Sequence, residues 1–103
     1  MTMRYDKLVR DKIPAIIEQG GKKALTRVLD EEEYRHHLEA KLDEEVAEFH
    51  RDKNAEELAD ILEVVYALAD SIGCDRRTLL ETYEQKHQAR GGFSDRIFLM
   101  ETE

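Results

Sequence analysis

This chain has no tryptophan, one proline and one cysteine, and aromatic residues make up only 7% of its 103 residues. So few aromatics argue against an all-β domain, whose strands draw on aromatic and β-branched residues. The single cysteine, Cys74, rules out an intrachain disulfide, so a reducing, cytoplasmic setting is expected. Cys74 itself reads as a buried, inert thiol. No apolar run approaches the ~18 residues of a membrane span, and no signal peptide is evident, so no membrane partner is expected. What is abundant is charge: 39% of the residues are Asp, Glu, Lys or Arg. That composition fits a helix-rich domain with wide polar faces. The length suits one domain, residues 1–103, with one modest core.

The net charge of −8 is spread unevenly. Residues 1–29 carry +4, residues 30–73 carry −11 and residues 74–103 carry −1. A strongly acidic centre repels phosphate backbones, so duplex nucleic acid is excluded as a partner. A basic arm beside an acidic centre better suits a phosphate ligand bridged by a metal. Most of these charges also fit ordinary solvated helix faces.

Four helices are expected. Asp11 would cap the first, which runs through Ile13, Ile16 and Ile17 to Gly20-Gly21, with Pro14 tolerated in its first turn. Asp30 opens the second, with Glu33 completing a capping box, and the helix runs to about Arg51. Asn54 and Glu57 repeat the device for the third, which stops at Gly73. Asp75 caps the fourth, which ends near Gly91-Gly92. The segments 23–29 (KALTRVL) and 96–100 (RIFLM) lean towards β structure and either pair as a minor two-stranded element or simply lie over the bundle. The fold class is therefore all-α and four-helix-bundle-like.

Polar residues that break this pattern point to chemistry. At about 100° per residue, Leu38, Leu42, Val46 and Phe49 form one apolar stripe on the second helix, and Glu45 falls inside it. A buried charge costs several kcal/mol unless it is paired or bound to metal. Lys41, four residues earlier, offers a pair; a metal offers the alternative. Glu45 and Glu48 have i,i+3 spacing, as do Glu57 and Asp60 on the next helix, so each pair shares a helix face. If the two helices pack antiparallel, four carboxylates converge and call for a cation. Glu57 also fits its cap, and Asp60 also fits an exposed position.

On the fourth helix, Leu79, Leu80, Tyr83 and His87 form the apolar stripe, and Lys86 and Arg90 lie on the same side. Two inward cations could neutralise carboxylates or hold the phosphates of a metal-bridged ligand. Lys7, Arg10 and Lys12 near the start are secondary phosphate candidates, or ordinary surface charge. The histidines 36, 37, 50 and 87 lack zinc-type spacing. Glu33–His36 and Glu84–His87 have the Glu-x-x-His spacing of redox carboxylate bundles, but Glu33 is committed to its cap and Glu84 lies off the stripe. No phosphate-binding glycine loop or nucleophile elbow is present.

Taken in order, YDKLVRDKIP (5–14), KLDEEVAEF (41–49), EELADILEVVYAL (56–68) and KHQARGGF (86–93) resemble short single-domain members of the MazG-like all-α nucleotide pyrophosphohydrolases, often described as phosphoribosyl-ATP pyrophosphohydrolase-like. The resemblance implies a Mg²⁺- or Mn²⁺-dependent hydrolase that splits a nucleoside triphosphate into a nucleoside monophosphate and pyrophosphate, serving nucleotide-pool housekeeping. It implies metal ligands at Glu45, Glu48, Glu57 and Asp60. It implies catalytic roles for Glu44, Glu45, Lys86 and Arg90, with Glu44 holding a second ion or orienting water. It also implies a homodimer or homotetramer. Phosphoribosyl-ATP hydrolysis and a non-catalytic helical interaction module are the alternatives. Only eight residues separate Glu48 from Glu57, fewer than is usual in that family, which leaves no room for a base-recognising insert.

Overall fold

Each expected cap signal sits at or beside a helix end in the computed structural model, which describes residues 2–103. The element order is α1 (Ile13–Gln19), α2 (Glu31–Asp52), α3 (Ala55–Ser71) and α4 (Arg76–Arg90). In α2 the Asp30 carboxylate accepts from the Glu33 N–H and the Glu33 carboxylate accepts from the Asp30 N–H, a complete capping box. Arg27 reinforces it by clamping Glu33 at 2.8 and 3.2 Å. That clamp holds the Glu33 carboxyl down at about 2. Asp75 caps α4 by accepting from the Thr78 N–H.

Two local expectations change. The N-cap of α1 is Lys12, not Asp11, and no side chain caps it. Pro14 lacks an N–H, so this helix start has one donor fewer to satisfy. At α3 the Asn54 side chain accepts from the Glu57 N–H, but the Glu57 carboxylate accepts no reciprocal bond from the Asn54 N–H. The Glu57 side chain is thus free for another role.

The centre of the molecule is the α2–α3 hairpin. Lys53 takes the left-handed conformation at φ 48° and Asn54 follows in extended backbone, so the chain reverses between Asp52 and Ala55. Helices α2 and α3 then run side by side. Leu38, Val64 and Ala69 are the buried apolar residues. Leu42, Val46 and Phe49 are half-buried, as the stripe on α2 predicts. After Gly73, at φ 79°, α4 leaves against the end of α3, and Arg76 stacks over the Tyr66 ring at 3.9 Å. Cys74, in that turn, is half-buried rather than buried.

The fold is all-α and bundle-like, without strands among the described residues. The segments 23–29 and 96–100 do not pair and form no regular element, because propensity alone supplies no neighbouring edge. The apolar face of α3 is also partly open, with Leu58 51% and Leu62 48% exposed. The radius of gyration is 18.1 Å. A compact chain of this length would have one of about 13 Å. No helix is long and apolar enough to cross a membrane.

Candidate metal centre

The hairpin turn brings the C-terminal half of α2 beside the first turns of α3. Glu45 and Glu48, one helical turn apart, thereby face Glu57 and Asp60. Each of the four residues offers a carboxylate oxygen, and these oxygens all lie within 4.8 Å of one another. Glu45 is 7% exposed and the other three are half-buried. The first turn of α3 contributes its unpaired N–H groups, whose partial positive charge favours Glu57 as an anion.

That help is incomplete. One oxygen of Glu45 and one of Glu57, both Oε2, are buried without a hydrogen-bond partner. Burial raises the Glu45 carboxyl above the usual range, followed by the hydrogen bond and charge of Glu48, with Lys41 opposing. Burial also raises Glu57, again with Glu48 adding repulsion. Buried carboxylate oxygens without donors are costly, and the surrounding donor set is all hard oxygen. This chemistry fits a divalent cation such as Mg²⁺ or Mn²⁺ and does not call for a softer metal. No histidine belongs to the cluster.

Basic residues ring the acids. Lys41 Nζ lies 3.6 Å from Glu45 Oε1 and 3.5 Å from Glu44 Oε2. The ion pair expected for Glu45 therefore exists, yet it leaves the second oxygen unmet. The segment before α1 adds two cations. Lys7 Nζ donates to Glu44 Oε1 at 3.3 Å, and Arg10 Nη2 donates to Asp60 Oδ1 at 2.6 Å. Glu44 is partly desolvated, which raises its carboxyl, but Lys41 and Lys7 outweigh that and hold it below its ordinary value.

Within one chain the other phosphate candidates lie elsewhere. Lys86 and Arg90 are exposed on α4 and form no ion pair among the described residues. Helix α4 buries no residue, so nothing turns its cationic side towards α2 and α3. Lys12 is exposed at the α1 N-cap. Conversely, the contacts Lys7–Glu44 and Arg10–Asp60 were not foreseen. Their only sequence signal is two cations at i,i+3 in a basic arm preceding an acidic centre.

No family model matches the chain, and no solved structure matches it. A stretch of 41 residues, 40% of the chain, is 54% identical to an uncharacterized protein of Mycolicibacterium smegmatis. That stretch covers 42% of the relative's length, so the chain matches less than half of it.

Proposed function

We propose that this chain is a Mg²⁺-dependent nucleoside triphosphate pyrophosphohydrolase, acting in the cytoplasm on the nucleotide pool. The observation that carries the reading is the convergence of four carboxylate oxygens within 4.8 Å, two of the residues each holding a buried, partnerless oxygen. The resemblance of four ordered motifs to the MazG-like family supplies the reaction. Water adds across the anhydride between the α and β phosphates, giving a nucleoside monophosphate and pyrophosphate.

Glu45, Glu48, Glu57 and Asp60 would hold the cation. When bound, it would supply charge neutralisation for the phosphates and activation of water. Glu44 stays anionic at neutral pH beside Lys7 and Lys41, so its carboxylate is able to accept a hydrogen bond from the attacking water. Arg10 and Lys7 sit at the rim of the acids and, with Lys41, would supply positive charge to a phosphate bound there. Lys86 and Arg90 would join them from α4 of a neighbouring copy in a homodimer or homotetramer.

The test is a nucleotide panel with Mg²⁺, read by pyrophosphate release. Activity on at least one nucleoside triphosphate is expected, with loss of more than a hundredfold in Glu45→Gln and in Asp60→Asn. Release of orthophosphate alone, or full activity in both variants, overturns the mechanism.

A further inference from the structure

The chain shows far more surface than its size warrants. Its accessible area is 9725 Å² for a mass of 12.1 kDa. A compact monomer of that mass exposes about 6,000 Å². The excess is several times the roughly 800 Å² that each partner contributes to a standard interface. It is also apolar in two particular places.

The first is the segment after α4. Phe93, Ile97, Phe98, Leu99 and Met100 are each more than 70% exposed, Phe93 reaching 97%. The backbone there turns at Phe93–Arg96 and from Ile97 onward joins no helix or sheet. The second is a line along α3. Leu58, Leu62, Val65, Ala69 and Ile72 recur at steps of four and three, so they share one side of the helix. Only Ala69 of these is buried, and Ile72 is 77% exposed.

The two surfaces fit one another in length. From Leu58 to Ile72 the line spans about 21 Å at 1.5 Å per residue. With the Phe93–Arg96 turn opened, eight residues drawn out as a strand span about 26 Å. In one chain they stay apart, because the fifteen residues of α4 lead the segment away from α3. A lipid surface is a poorer occupant. Residues 93–103 carry Asp95, Glu101 and Glu103 against a single cation, Arg96, and anionic headgroups repel such a segment.

We propose that the C-terminal segment 93–100 of one copy lies along the exposed α3 line of a second copy, and that the exchange is reciprocal. A two-fold arrangement covers both surfaces on both chains at once. The proposal concerns association and not hydrolysis, so the metal reading stands or falls separately.

Sedimentation equilibrium on the full chain, with and without substitutions, tests it. The unaltered chain self-associates. Phe98→Asp with Leu99→Asp weakens association at least tenfold, and so does Leu62→Asp. Combining them weakens it no further than the stronger change alone, because both remove the same contact. Phe98 and Leu99 lie outside every helix, so their variant keeps the fold even if Leu62→Asp does not. Isotope-filtered NOE spectra on mixed labelled and unlabelled chains then show contacts from Phe98 and Leu99 to Leu58 and Leu62 of the other copy. Four results overturn the proposal: a monomeric unaltered chain, an oligomer indifferent to the tail variant, contacts confined within one chain, or tail-dependent binding to phosphatidylcholine–phosphatidylserine vesicles without self-association.

Discussion

The α2–α3 hairpin and the region from Arg76 onward are built from similar raw material and end in opposite states. Both contain a capped amphipathic helix, and both carry charged residues on or beside an apolar stripe. The hairpin buries Leu38, Val64, Ala69 and even Glu45, whereas α4 buries nothing and the segment beyond it is almost wholly exposed. An apolar stripe is therefore a demand for cover and not a description of it. The hairpin meets that demand within the chain, because a tight turn at Lys53-Asn54 forces two long helices together. The C-terminal region has no such neighbour. A carboxylate trapped by the first arrangement joins three others in one cluster, while cations on the second, Lys86 and Arg90, remain in solvent.

The largest effect should come from a charge at the centre of the hairpin. Val64→Asp buries an unpaired carboxylate at a site 7% exposed. Urea denaturation should register a loss of about 3 kcal/mol or more. Leu80→Asp on α4, measured at concentrations low enough to keep chains apart, should cost less than about 1 kcal/mol. Equal losses would erase the contrast between the regions.

Next in size is the response to cation. Mg²⁺ that binds the folded chain alone stabilises it by about 2.7 kcal/mol at a hundred times its dissociation constant. Differential scanning calorimetry should show a rise in melting temperature that Glu45→Gln abolishes and Lys86→Gln retains. A rise preserved in Glu45→Gln would move the site elsewhere.

Acidity should produce a smaller shift of opposite sign for two sets of groups. Glu45 and Glu57 have raised carboxyls in the folded chain, so it binds protons there more readily than the unfolded chain does. Their contribution to stability grows as the pH falls through those raised values towards the ordinary glutamate value of about 4.3. Glu33 is lowered to about 2, so its contribution is present above about 4.3 and is lost as the pH falls towards 2. Without divalent cation, the melting temperature should peak on the acid side of neutrality, and millimolar Mg²⁺ should move that peak upward. A metal-free maximum at or above neutral pH would contradict the raised carboxyls.

The smallest effect concerns the arm. Arg10 occupies an Asp60 oxygen at 2.6 Å, and both side chains are partly exposed. Removing it as Arg10→Gln should tighten Mn²⁺ binding by up to about fivefold, the scale of a solvent-exposed ion pair. Isothermal titration that shows weaker binding instead would make Arg10 a support for the site and not a competitor.

Local signals explain what the sequence made legible. Asp30, Asn54 and Asp75 announced three helix starts because a capping side chain acts within three residues of itself. Glu45 announced the site because it interrupts an apolar stripe. The Arg10–Asp60 contact spans fifty residues and leaves no periodic trace. The opposite fate of the α4 stripe was illegible for the same reason: periodicity marks a face and does not name what covers it. The β propensity of segments 23–29 and 96–100 left pairing open, because propensity says nothing about the presence of an edge to pair with.

The central claim is that Glu45, Glu48, Glu57 and Asp60 hold a divalent cation together. Electron paramagnetic resonance titration with Mn²⁺ tests it most directly, because free aqueous Mn²⁺ gives a signal that binding suppresses. The account predicts suppression by the unaltered chain, reversal by excess Mg²⁺, and little suppression by Glu45→Gln or Asp60→Asn. Equal suppression by the unaltered chain and both variants, or none by any of them, would contradict it.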